Sequence, residues 1–364
     1  MNQALPQELL ERYRFYAPGE APLSLHGVSP DNPPGTLCRL PESLLPKLRE
    51  PLRYLAYNTA GVRLRFTTNA SSLCLAVQLR KPWFKTNMTP LAHSGFELYS
   101  GAEKSWRHEA VIRPKTSGEF LLDGERLLPS WQQEVSLSGE EKTYTLYLPH
   151  FMPLTALAVG LPHGCFLAPA RPYALAKPLV FYGSSITQGA CASRPSLGYA
   201  ALVSQWLDAD FANLGFAGHA LGERALAEYI AGLPAISALI LDYDHNAPTP
   251  EHLAQTHQAF LQTVRRARPT LPVLMLTRPS PLDQPEETSR RREIILRTYL
   301  QAVAEGDRHV AFLDGMALLT DEHPDGCLTD RVHPNDLGFY RMAKGVLPVL
   351  RELLLADGVS LPDR

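Results

Sequence analysis

The chain has 364 residues, 45% of them hydrophobic, and a formal net charge of −2. That length suffices for two separate cores, and the near-neutral charge excludes the electrostatic footprint of a nucleic-acid or anionic-membrane binder. Five cysteines (Cys38, Cys74, Cys165, Cys191 and Cys327) are odd in number and widely spaced, which predicts free thiols rather than a disulfide framework or a zinc site. Residues 1–8 lack the basic start and apolar core of a signal peptide, and no apolar run reaches a membrane-spanning length, so the expected location is cytoplasmic.

Residues 62–66, 73–79, 144–148 and 154–159 alternate apolar and polar side chains. Period two between turn-forming residues predicts strands, and without a long helical period the region reads as an all-β, jelly-roll-like sandwich over residues 1–172. Trp83 and Phe84, in a loop rich in Pro and Asn, are read as packing between domains or as an aromatic wall over a site. The proline-punctuated stretch 167–172 reads as a linker.

From residue 173 to 364 the pattern becomes strand, helix, strand, helix. Strands are predicted at 179–182, 210–214, 238–242, 273–277 and 310–314. Helices are predicted near 200–207, 222–231, 251–267 and 286–305, with a last one after His333 carrying Pro348. Short apolar strands separated by helices imply a parallel five-stranded sheet, because parallel strands need long crossovers.

The first of these strands stops at Gly183-Ser184-Ser185-Ile186-Thr187-Gln188-Gly189. The carboxyl edge of an open α/β sheet is where ligands bind, and a serine held stiffly there is placed to attack. Far downstream comes Asp330-Arg331-Val332-His333-Pro334-Asn335. Serine needs a base to take its proton, histidine is suited to that near neutral pH, and a carboxylate fixes its tautomer. The order Ser, Asp, His follows that of α/β hydrolases. The competing reading is a turn serine and an Asp-His pair capping the last helix.

These residues resemble the blocks of the SGNH (GDSL-type) serine hydrolases. Gly183-Ser184-Ser185 is similar to the first block, with Ser185 as nucleophile and Ser184 where the family usually has aspartate. Asp330-x-x-His333 is similar to the last, which supplies the orienting aspartate and the base. Asn213-Leu214-Gly215-Phe216-Ala217-Gly218 resembles the second, implying an oxyanion-hole N–H at Gly218, with Gly215 as the alternative. Asp244-His245-Asn246-Ala247 stands where the third usually reads Gly-x-Asn-Asp, implying an oxyanion amide at Asn246. Gly95-Phe96-Glu97-Leu98-Tyr99 resembles the Gly-x-Asp-Leu-Tyr mark of a subgroup with an N-terminal β-domain. The resemblance implies a three-layer α/β/α, flavodoxin-like catalytic domain.

The implied activity is ester hydrolysis through an acyl-enzyme on Ser185, with the Ser185 N–H joining Gly218 and Asn246 in the oxyanion hole, and with no cofactor and no metal. The expected partner is a short-chain, acetyl-type ester of a carbohydrate or small polar molecule. A thioesterase or lysophospholipid-type esterase with the same residues, and a carbohydrate-binding protein without catalysis, are the alternatives. Arg194, His219, His245 and Arg278 are candidate substrate contacts, against surface ion pairs and loop histidines. A metal held by Asp242, Asp244 and His245 is the weaker reading, since ligand-like spacing is lacking.

Overall fold

The computed structural model describes residues 5–80, 87–101, 105–121, 124–279, 285–320 and 324–361; Trp83 and Phe84 lie outside them. The chain forms two compact units. One comprises Met1–Pro46, Arg53–Tyr173 and Ser193–Ser196, and the other Lys47–Leu52, Ala174–Ala192 and Leu197–Arg364. The main division follows Tyr173, and two short segments belong to the unit opposite their sequence neighbours.

In the first unit a four-stranded sheet runs in the order Tyr13–Tyr16, Leu154–Pro162, Ser72–Leu79, Ser130–Ser136. A second runs Leu167–Ala168, Arg63–Thr68, Lys142–Tyr147, Phe96–Ser100, Arg107–Ile112, with Ser24–His26 also paired to Arg63–Thr68. The pairings in both sheets are antiparallel. Leu64 lies opposite Leu146 and Phe66 opposite Tyr144, and these side chains join Leu75, Val77 and Leu98 in one core. Period two thus delivers the sandwich core. Alternation also predicts that Arg63 and Arg65 face solvent, yet both are buried. Arg63 Nε donates to the Tyr173 hydroxyl at 3.1 Å, and the Arg65 guanidinium stacks 3.8 Å above the Tyr173 ring. A planar guanidinium tolerates this burial because an aromatic face attracts it.

The second unit contains strands β1 (Leu175–Gly183), β2 (Ala209–Gly215), β3 (Ala238–Asp242), β4 (Val273–Leu276) and β5 (Val310–Leu313). They pair in parallel in the order β2-β1-β3-β4-β5. Strand β1 begins four residues before the predicted start, with its register shifting between Leu175 and Leu179. Pro178 lies within that stretch and lacks a ladder donor, which hides it from a pattern reading. The helices are α1 (Ser185–Gln188), α2 (Tyr199–Leu207), α3 (Arg224–Gly232), α4 (Pro250–Ala267), α5 (Pro285–Ala304) and α6 (Asp336–Ala356). Helix α2 packs on α6, whereas α3 packs on α4 and α4 on α5. Two helix groups around one parallel sheet make the three-layer, doubly wound arrangement. Its strand order reverses between β1 and β3, and the crevice beyond their carboxyl ends is where such sheets take ligands.

Candidate active site

Strand β1 delivers Ser185 to that crevice. A Cβ on Gly183 would stand 2.3 Å from the Asp242 carbonyl oxygen, so only glycine lets the strand ends approach this closely. Ser184 caps the single turn α1, its hydroxyl accepting the Ile186 N–H at 3.1 Å. Serine and aspartate are both good N-caps, which accounts for serine at a position where aspartate is usual. Gly189, at φ 98°, closes the turn.

Beneath the turn, Thr187 Oγ1 and the Tyr199 hydroxyl each donate to Asp242 Oδ2 at 2.8 Å. Burial pushes the Asp242 carboxyl up to about 7, with the two donated bonds opposing the shift. Asn213 Nδ2 donates to the Thr187 carbonyl at 2.7 Å, and Gln188 Oε1 accepts the Ala217 N–H at 2.9 Å. The serine turn is therefore held by side chains from both neighbouring strands.

The aspartate and histidine share one tight turn after β5. Asp330 Oδ1 accepts the His333 backbone N–H at 2.9 Å and the Val332 N–H at 3.3 Å. Arg331 takes φ 69° between them. The same carboxylate lies 2.8 and 2.9 Å from His333 Nδ1. His333 Nε2 is 2.9 Å from Ser185 Oγ. Asn335 then caps α6 through Gly338 N at 3.1 Å and donates to the Gly326 carbonyl at 2.8 Å. This anchors the turn on the helix that follows.

The three oxyanion candidates lie at or after the carboxyl ends of β2 and β3, the strands on either side of β1. Gly215 approaches α1 so closely that a Cβ would lie 2.3 Å from Gln188 N, and its N–H goes to Asn213 Oδ1 at 2.9 Å. Gly218 sits at φ 74° with open space around it, and among the described residues no protein acceptor takes its N–H or that of Ser185. Asn246 lies in the turn after β3, where its Nδ2 donates to the Phe216 carbonyl at 2.8 Å. That bond uses one amide hydrogen and orients the other.

The remaining candidates are placed as follows. His245 precedes Asn246, and burial, then the charges of Arg278, His333 and Arg291, hold its ring well below the usual histidine range. The His219 carbonyl accepts from Arg49 Nη2 at 2.7 Å. Arg278 is buried beside Asp244, whose Oδ2 accepts the Arg278 N–H at 3.1 Å and whose Oδ1 lies 3.6 Å from Nε. Arg194 belongs to the first unit, 3.1 Å from Glu97 Oε1. Glu97 also accepts the Ser196 N–H at 2.9 Å. Asp242 and Asp244 thus serve Thr187, Tyr199 and Arg278. Pattern reading placed Asp242 at a strand end and among metal ligands, and did not foresee that its buried carboxyl would hold Thr187 and Tyr199 beneath the serine. It also passed over Cys191, which lies beside Asp330 and His333.

Residues 176–351 match the GDSL-like Lipase/Acylhydrolase family, and residues 13–166 match the N-terminus of Esterase_SGNH_hydro-type. The chain belongs to the SGNH-type, GDSL-like acyl hydrolases, and as such is an ester hydrolase. Among solved structures it is similar to a protein described as a GDSL-like lipase from Bacteroides ovatus, at 26% identity and TM-score 0.82, over 94% of this chain and 98% of that one. A salicylyl-acyltransferase from a tetracycline biosynthetic pathway shares the fold at 21% identity and TM-score 0.74, over 95% and 98% of the two chains. An acetyl xylan esterase from the rumen bacterium Butyrivibrio proteoclasticus does so at 15% identity and TM-score 0.58, over 94% and 99%. Comparison with curated protein sequences gave no match. No helix among the described residues is long and apolar enough to cross a membrane.

Proposed function

We propose that the chain hydrolyses a short-chain ester, acetyl foremost, of a carbohydrate or similar polar molecule through an acyl-enzyme on Ser185. The observation that carries this reading is the unbroken relay Ser185 Oγ to His333 Nε2 at 2.9 Å and His333 Nδ1 to Asp330 at 2.8 Å. His333 takes the hydroxyl proton as Oγ bonds to the ester carbon, while Asp330 steadies the imidazolium. The N–H groups of Ser185 and Gly218 and the Asn246 amide receive the oxyanion. The C–O bond to the alcohol then breaks and His333 protonates the leaving oxygen. Water repeats the sequence and releases the acid.

The acetyl-carbohydrate part rests on the fold shared with an acetyl xylan esterase. Fold alone carries substrate class weakly, so substrates decide it. Turnover of p-nitrophenyl esters should fall with acyl length and extend to acetylated xylo-oligosaccharides. Preference for long acyl chains or thioesters would move the assignment to the corresponding esterase. The same fold in a salicylyl-acyltransferase motivates a second reading in which an alcohol rather than water takes the acyl group. An added alcohol acceptor would divert product to a new ester if that holds.

A fluorophosphonate should label Ser185, and Ser185→Ala should lose at least about a thousandfold in kcat with an unchanged melting temperature. A protein that neither labels nor turns over, yet binds sugars, would be a binding module. A variant keeping a tenth of the activity would refute the nucleophile.

A further inference from the structure

We infer that Cys191, Asp330 and His333 form an inhibitory site for a thiophilic divalent cation of the Zn²⁺ type. The Cys191 sulfur, an Asp330 carboxylate oxygen and a His333 ring nitrogen all lie within 4.8 Å of one another. Cys191 is in no disulfide and is only partly buried, and Asp330 is exposed, so a cation has access from solvent. Cys191 follows Gly189, which closes the serine turn, and Asp330 and His333 come from the turn after β5. The site therefore exists only once both turns are in place.

The donor set selects the ion. Sulfur, nitrogen and oxygen together suit Zn²⁺, whereas Mg²⁺ and Ca²⁺ take oxygen ligands. With bond lengths of roughly 2.0–2.3 Å, tetrahedral coordination puts ligand atoms about 3.3–3.8 Å apart. The three donors need to close by at most about 1.5 Å, within reach of side-chain rotation at an exposed carboxylate and a partly buried thiol. Three protein ligands leave a fourth position for water. Binding releases the thiol proton to solvent, because thiolate is the ligating form.

The consequence follows from the reading of His333 as general base. A cation on Nε2 occupies the lone pair that takes the Ser185 proton. A cation on Nδ1 replaces the Asp330 contact and draws electron density from the ring, so Nε2 loses basicity. Either geometry stops catalysis while leaving the fold in place. Cys191 lies outside the proposed chemistry, so its thiol is dispensable for turnover and required for inhibition.

The test separates binding from activity. Isothermal titration of the full chain with ZnCl₂ should show one site at micromolar concentrations, absent with MgCl₂ or CaCl₂. Co²⁺ should give a thiolate charge-transfer band. Cys191→Ser should lose the band and weaken binding by at least about tenfold, with circular dichroism and melting temperature matching the parent. Cys165→Ser, which alters the other partly buried thiol, should change neither. In an ester assay Zn²⁺ should inhibit the parent over the range in which it binds, EDTA should restore turnover, and Cys191→Ser should turn over normally and resist Zn²⁺. Equal binding and band in the parent and Cys191→Ser, or no binding to the parent at millimolar Zn²⁺, would overturn the site. If the ester hydrolysis reading failed, titration and band would still report on the site itself.

Discussion

Asn246 has two amide hydrogens, and the proposed mechanism gives the second of them to the oxyanion. One already goes to the Phe216 carbonyl at 2.8 Å, and two backbone donors, His219 N at 2.8 Å and Ala220 N at 3.1 Å, meet the same oxygen. The turn that carries Gly218 is thereby tied to the turn after β3. Asn246→Ala should lower kcat by about a hundredfold or more, because the oxyanion bond forms fully only in the transition state. Loss of the Phe216 bond should cost about 1 kcal/mol of stability. Steady-state kinetics beside chemical denaturation separates the two. A destabilised variant with normal kcat would leave Asn246 a purely structural role.

At the scale of elements, the end of β3 concentrates what holds the serine turn. Asp242 sits there with its carboxyl pushed up to about 7 by burial, against about 3.9 for a free aspartate. A folded value above the unfolded one means that the proton is held more tightly in the native state. The stabilisation is fully present below about pH 4 and is lost as pH rises through about 7. By linkage the loss amounts to about 4 kcal/mol. Asp242→Asn removes the titration and keeps an oxygen for Thr187 and Tyr199. Denaturation of both proteins from pH 4 to 8 should show the parent losing ground to the variant as pH rises. Parallel profiles would mean that Asp242 stays charged in the fold.

Across the whole molecule, buried histidines act with the opposite sign. His150 in the first unit and His257 in the second are both held down to about 4 by burial, below the ordinary value of about 6.5. Each favours the fold fully above about pH 6.5 and loses that contribution as pH falls to about 4. His257 stacks on Tyr243 with centroids 5.8 Å apart, a contact that His257→Phe retains. That variant should lose less stability than the parent between pH 6.5 and 4, measured by thermal unfolding. An unchanged acid slope would exclude His257 as a contributor.

Much of the fold was legible because its signals are local. Period two marked the sandwich strands, apolar runs marked β1 to β5, and the glycines around Ser185 marked a turn at a strand end. Ser184 lies in the run of small residues read as a turn, and the structure adds that it and Asn335 cap the helices that follow, a role set by only a few consecutive positions. Other features depend on residues far apart in the chain. Ser185 and His333 are separated by 148 positions, and the order β2-β1-β3-β4-β5 brings them to one crevice. Packing within the first unit buries Arg63 and Arg65 where alternation exposes them, and packing within the second engages Arg278 with Asp244 and sets the Cys191 thiol beside Asp330 and His333. By itself the sequence determined which residue types stand at which strand ends, because backbone preference and side-chain period act over a few residues. Only the tertiary structure decided which of those ends meet, and which charges are left for chemistry once the others are paired, because both depend on the relative placement of whole elements.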